Sequence, residues 1–202
     1  DGLARELKYL TLGAYGEMDF FALKGMVNAV LDSIRAEGIR YEACTTNPSY
    51  HPGRCAKVTI DGTDVGFIGQ GHPLVCKNYG IDAEVYCAEI SFNQLFDMQL
   101  PEPTYTPLPK YPSVWRDLAV VCDESMTVAE VENVMTAAAG KLLRSIRLFD
   151  IYRGTGIPAG KKSVAFSLEL RADDRTLTDT DSEGVVTKVL NALKEKLNIT
   201  LR

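Results

Sequence analysis

The chain of 202 residues has no run of about 18 apolar residues, so no segment reads as a membrane span. No basic stretch leading into an apolar one opens it, so no secretory signal is expected. None of its five cysteines (Cys44, Cys55, Cys76, Cys87 and Cys122) stands in a Cys-x-x-Cys pair, and the count is odd. That argues against a zinc ribbon and against a complete disulfide framework, and it points to a reducing, cytoplasmic setting. Histidine is scarce: His51 and His72 are the only two, each followed by proline. His51 and Cys55 are four apart, but Pro52 and Gly53 between them disfavour a helix, and the spacing of further ligands that a metal site needs is missing. No Gly-x-Ser-x-Gly elbow is present, and no pairing of a base with a nucleophile is suggested for a hydrolase. The opening stretch, DGLARELKYLTLGAYG, reads as mid-domain sequence, so the chain is expected to be a piece of a longer protein.

What is present is ordinary for a folded domain or two: 46% hydrophobic and 24% charged residues. Phe20, Leu23, Val27, Leu31 and Ile34 recur at helical spacing and predict a helix over about 19–37, with Gly38 as its C-terminal cap. Strands are expected near 40–45, 55–60, 65–68 and 84–90, with Asp61-Gly62 as a hairpin turn. Pro73 suits the first turn of a short helix stopping at Gly80, and a second short helix covers 92–98.

Residues 99–113 hold five prolines, at 101, 103, 107, 109 and 112, and favour extended backbone. The domain boundary is placed there: a first domain over 1–100, a linker over 101–110 and a second domain over 111–202. The formal charge of −5 belongs to residues 1–110, while residues 111–202 carry 13 bases and 13 acids.

The second part predicts a strand at 114–122, then a helix opened by the capping box of Thr127 and Glu130 and closed by Gly140. Two strands follow on either side of a glycine-rich loop, then a helix from about 182 to 197 and a short strand at 199–201. The order β-α-β-β-α-β is that of a ferredoxin-like sandwich, with two helices on one sheet face and the other face open. Val164, Phe166, Leu168 and Leu170 form the core row of one half-buried strand, which leaves Ser163 on the open face. Asp150 and Tyr152 are assigned to the same open face, because Phe149 and Ile151 suit the core better. The loop Gly154–Gly160 lacks the following helix that a dinucleotide fingerprint needs, and its glycines serve positive φ. From Lys141 to Lys162 six bases stand against the single acid Asp150, a local net charge of +5. A ring that stacks, polar groups that read a base edge, and cations for phosphates suit single-stranded RNA. A solvated hairpin with a surface tyrosine is the plainer reading of the same residues.

These residues carry a resemblance. Tyr111-Pro112-Ser113-Val114-Trp115-Arg116-Asp117-Leu118-Ala119, Phe149-Asp150-Ile151-Tyr152-Arg153-Gly154, Pro158-Ala159-Gly160-Lys161-Lys162-Ser163-Val164-Ala165, Arg175-Thr176-Leu177-Thr178-Asp179 and a terminal Leu201-Arg202 resemble the ferredoxin-fold anticodon-binding domain. That domain ends the beta chain of bacterial phenylalanine–tRNA ligase. The first part resembles the catalytic-like domain that precedes it there, through Asp19-Phe20-Phe21-Ala22-Leu23-Lys24-Gly25, His51-Pro52-Gly53-Arg54-Cys55-Ala56 and Ile68-Gly69-Gln70-Gly71-His72-Pro73. The pattern departs from the family at Gln70 and Gly71, where an acid and an apolar residue are usual, and at Thr180-Asp181-Ser182 before the last helix. No Phe-Arg-x-Glu and no glycine-rich segment ending in Glu-Arg is present, which fits the beta chain better than the single-chain organelle ligase.

The resemblance implies an α+β chain: a partial class II synthetase-like antiparallel domain, then the ferredoxin-like sandwich. It implies recognition of the phenylalanine tRNA anticodon by Ala119, Asp150, Tyr152 and Ser163, with Arg153, Lys161 and Lys162 on phosphates. No residue is expected to be catalytic or to bind metal. ATP and magnesium would serve the alpha subunit, in an alpha2-beta2 tetramer in the cytoplasm, with neither membrane nor DNA as a partner. The alternative is a ferredoxin-like small-molecule regulatory module without RNA binding. An acylphosphatase-like enzyme fits less well, since Val121-Cys122-Asp123-Glu124 is acidic where an anion loop is needed.

Overall fold

The computed structural model describes residues 2, 4, 6–98, 100–105 and 107–201. Gln99 and Thr106 of the proline-rich stretch, and Arg202 of the terminal Leu-Arg match, lie outside the described residues. The chain divides into two compact units, Asp1–Thr104 and Tyr105–Arg202.

The first unit runs β1 (Tyr9–Tyr15), α1 (Phe20–Ser33), β2 (Ile39–Ala43), β3 (Tyr50–Ile60), β4 (Thr63–Gly71), α2 (Pro73–Asn78), β5 (Val85–Ser91) and α3 (Phe92–Asp97). Its strands form one antiparallel sheet in the order β1-β5-β4-β3-β2. Strand β1 is not legible in the sequence: it is an edge strand in which only Ala14 is buried, so its period of two hardly shows.

Asp19 caps α1 by accepting from the Ala22 N–H at 2.8 Å, and Leu23, Val27 and Leu31 are its buried stripe. The helix ends at Ser33, earlier than the periodicity suggested. Arg35 turns left-handed (φ 58°) and the Ala36 N–H closes back on the Leu31 carbonyl, a Schellman ending. Gly38 is therefore not the cap. A Cβ there would strike the Asp61 carboxylate, so the glycine admits the β3–β4 turn instead. In that turn Asp61 (φ 47°) and Gly62 (φ 79°) join Ile60 to Thr63, as a two-residue hairpin requires.

The second unit runs β6 (Val114–Asp123), α4 (Val128–Ala139), β7 (Leu143–Tyr152), β8 (Lys161–Leu170), α5 (Asp179–Leu197) and β9 (Thr200–Leu201). A short 3-10 turn over Gly140–Leu142 leads into β7. The antiparallel sheet has the order β7-β8-β6-β9, which is the ferredoxin arrangement. Leu118, Val120, Val164, Phe166, Leu168 and Leu170 pack from the sheet against Val131 and Met135 of α4 and Val185, Val189 and Leu193 of α5. Both helices thus cover one face of the sheet.

Helix α5 starts three residues before the expected Ser182. Thr178 is its N-cap and Asp181 completes a capping box, with Arg175 donating to the Asp181 carboxylate at 2.8 and 3.1 Å. The aspartate in the third helical position replaces the glutamate that the pattern favours, and this concealed the box. Thr178→Ala should cost about 1 kcal/mol of stability. Arg175 first, and then the Thr178 backbone and hydroxyl, hold the Asp181 carboxyl far below the ordinary aspartate range. A pKa lowered on folding adds stability above the unfolded value, lost as pH falls through the folded one. The deficit of Asp181→Asn should accordingly be greatest above about pH 4 and shrink in acid. Thermal melts across pH check this, and a deficit independent of pH would contradict it.

Candidate nucleic-acid interface

The uncovered face of the second sheet is built by ladder positions alone. On β8 the outward row is Ser163, Ala165, Ser167 and Glu169. On one side Ser163 pairs with Tyr152, Ala165 with Asp150, and Ser167 with Arg147. On the other side Ser163 pairs with Val121, Ala165 with Ala119, Ser167 with Asp117, and Glu169 with Trp115. Ala119, Asp150, Tyr152 and Ser163 therefore meet in one small patch around Ala165.

Their accessibility differs. Asp150 is exposed, while Tyr152 and Ala119 are partly exposed. Ser163 belongs to the open row but is only 2% exposed. The Tyr152 hydroxyl donates to the Thr155 carbonyl at 3.3 Å. The ring lies against Gly154, where an added Cβ would come within 2.8 Å of that hydroxyl. Gly154 (φ 157°), Gly156 (φ 90°) and Gly160 (φ 77°) give the loop the positive φ anticipated for it.

Phe149 departs from the expectation that it is a core residue: it is 54% exposed. The β7–β8 register shifts between Leu148, opposite Phe166, and Asp150, opposite Ala165. Phe149 is thus the extra residue of a β-bulge. The bulge reverses the parity of β7, so that Ile146, Leu148 and Ile151 serve the core while Asp150 and Tyr152 face outward. Phe149 joins Trp115, Asp117, Arg147 and Ser167 around a shallow groove of about 350 Å³.

The basic cluster also changes character in space. Arg153 forms a bidentate contact with Glu124, its Nη2 lying 2.7 Å from Oε1, and that contact holds the Glu124 carboxyl below its usual range. Lys161 pairs with Asp123 at 2.9 Å and Arg144 with Asp173 at 2.6 Å. Lys162 is corrected most: it is 7% exposed and occupies the core-side row of β8, and its Nζ donates to the Glu124 carbonyl at 2.9 Å. A charge count over 141–162 does not include these partners, because Asp123, Glu124 and Asp173 all lie outside that stretch.

In the first unit both histidines serve the backbone. His51 Nδ1 accepts from the Gly53 N–H at 3.0 Å and His72 Nδ1 from the Leu74 N–H at 3.2 Å. Arg54 donates to Gln70 at 2.8 Å and to Glu84 at 3.2 Å, and Tyr86 donates to Glu84 at 2.9 Å. Gln70, one of the departures from the family pattern, thus has a defined partner. Among the described residues no three His, Cys, Asp or Glu side chains gather as a metal set, and no helix is long and apolar enough to cross a membrane.

The second unit is a ferredoxin-fold domain with an open, aromatic-bearing sheet face, and residues 109–202 match the ferredoxin-fold anticodon binding domain family. Residues 1–92 match the phenylalanyl tRNA synthetase beta chain CLM domain. The chain belongs to the phenylalanine–tRNA ligase beta-subunit family. It is 39% identical over 200 residues to the phenylalanine–tRNA ligase beta subunit of Clostridium acetobutylicum, covering 99% of this chain and 25% of that relative. The beta subunit of Bacillus licheniformis is 41% identical over 96% of this chain and 24% of the relative. That of Symbiobacterium thermophilum is 42% identical over 87% of this chain and 20% of the relative. The chain spans about a quarter of the length of the curated relatives it matches.

Proposed function

We propose that this chain supplies anticodon recognition to a phenylalanine–tRNA ligase. Residues 111–202 would bind the anticodon of phenylalanine tRNA, while residues 1–100 would act as a non-catalytic, catalytic-like scaffold for the alpha subunit, joined by the segment 101–110. The observation that carries this reading is the convergence of Ala119, Asp150, Tyr152 and Ser163 on adjoining ladder positions of one open sheet face. The small side chains of Ala119, Ser163 and Ala165 leave room beside Tyr152 for a flat base. The Tyr152 ring stacks on it, the Asp150 carboxylate accepts from N–H donors on its edge, and Ser163 adds a hydroxyl.

Arg153 and Lys161 would meet phosphates. Their present partners Glu124 and Asp123 are exposed, and surface ion pairs are screened by water and contribute little, so exchange for a phosphate costs little. Lys162 would contribute by holding the end of β6 through the Glu124 carbonyl, not by touching RNA. Phenylalanine activation, with ATP and magnesium, would take place on the alpha subunit of a cytoplasmic alpha2-beta2 ligase.

Tyr152→Ala tests the reading. Loss of one base–aromatic stack is worth roughly 1–3 kcal/mol, so tRNA affinity should fall about 5- to 150-fold, at about 1.4 kcal/mol per tenfold, while the domain stays folded. Lys161→Ala should weaken binding without base preference and flatten its salt dependence. Affinities at two salt concentrations, with thermal melting as control, decide it. A Tyr152→Ala variant that melts early yet binds normally when folded would make Tyr152 a packing residue and remove the site.

A further inference from the structure

We infer that the groove between Trp115 and Phe149 is a second nucleotide subsite, for a base flanking the one stacked on Tyr152; this rests on the anticodon reading above. Three observations converge. Trp115 and Phe149 are 52% and 54% exposed, and both line the same groove on the same open face. Large rings left in water on one patch usually mark a binding surface. Phe149 is there because a bulge adds it to the strand, and bulges commonly re-aim a side chain beside a functional site.

The polar residues choose the occupant. Arg147 stands at the groove with no ion pair or side-chain hydrogen bond among the described residues, unlike Arg144, Arg153 and Lys161. It can meet a phosphate without giving up a partner. At the floor Ser167 donates to one Asp117 oxygen at 2.6 Å, which orients the carboxylate and leaves its other oxygen to accept from a base edge. Rings, a cation and an oriented acceptor together suit a nucleotide better than a purely apolar segment. The groove is also continuous with the Tyr152 patch. Ser167 is four residues from Ser163 along β8, about 13 Å at strand rise, and both belong to the same outward row.

The chain itself provides the reporter, since Trp115 is its only tryptophan. The probe is the anticodon stem-loop of phenylalanine tRNA, titrated into the 202-residue chain. Tryptophan fluorescence should be quenched with the same midpoint as stem-loop anisotropy. An abasic nucleotide beside the base held by Tyr152 should abolish the quench. Trp115→Ala and Phe149→Ala should each weaken binding about 5- to 150-fold, Trp115→Phe much less, and all three should melt like the parent chain.

Binding that depends on Tyr152 but leaves Trp115 fluorescence and Trp115→Ala affinity untouched would overturn the subsite and leave the anticodon site standing. Absence of both binding and any effect of Tyr152→Ala would overturn both. Quenching by the alpha subunit and not by RNA would make the groove a protein contact and end the proposal.

Discussion

Phe166→Ala should destabilise the second unit by about 3–5 kcal/mol, the range for deleting a buried phenylalanine. Phe166 is fully buried at the middle of β8, where it pairs with Leu118 on β6 and Leu148 on β7. It has the largest of the fully buried side chains and sits in the cluster that joins the sheet to α4 and α5. Neither helix can follow the missing ring without leaving the other residues of its stripe, so the cavity would stay largely open. A domain is stable by only about 5–15 kcal/mol, and a loss of this size leaves little margin. Urea unfolding followed by Trp115 fluorescence reports on this unit selectively, because the only tryptophan lies on β6. A loss under about 1 kcal/mol would show that the central row is not the core that the alternation implies.

Gly66→Ala should damage the first unit by a different route. Gly66 adopts φ 158°, a region that side chains avoid, at an estimated cost of about 1–3 kcal/mol. A Cβ there would run into the carbonyl of Glu89 on β5, which is backbone and cannot rotate away. Overpacking adds roughly another 1–3 kcal/mol. The position is next to a register shift: Val58 pairs with Gly66 but Thr59 with Asp64, which leaves buried Val65 as the extra residue on β4. Gly62→Ala is the control. Its φ of 79° is also positive, but nothing lies within 4 Å of an added Cβ, so only the left-handed conformation is penalised, at about 1–2 kcal/mol. Denaturant unfolding of the two variants should separate them clearly. Equal losses would mean that the close approach to Glu89 does not constrain this position.

The two capping sites of the second unit show how far local chemistry reaches. Thr127 and Glu130 are visible in the sequence because every partner in a capping box lies within one turn. The box at Thr178 and Asp181 is less visible, although it is equally local, because its acid is the shorter side chain. The Asp61-Gly62 turn and the glycine loop were legible for the same reason: the conformation is a property of the residues that adopt it.

The sequence by itself determined the element order and ferredoxin class of the second unit and the core rows of β6 and β8, since each follows from spacing of two or 3.6 residues. It also brought Asp150, Tyr152 and Ser163 to one face, although Phe149 was assigned to the wrong side. Tertiary structure alone decided three things. A bulge is a mismatch between two strands, so neither strand's sequence reveals that Phe149 is the unpaired residue and belongs beside Trp115. Charge neutralisation acts across strands, so Glu124 and Asp123 answer Arg153 and Lys161 from 29 and 38 positions away. The partner of Lys162 is likewise non-local: its parity places it in the row that faces the helices, but the backbone carbonyl that receives its ammonium belongs to Glu124, beyond the end of β6.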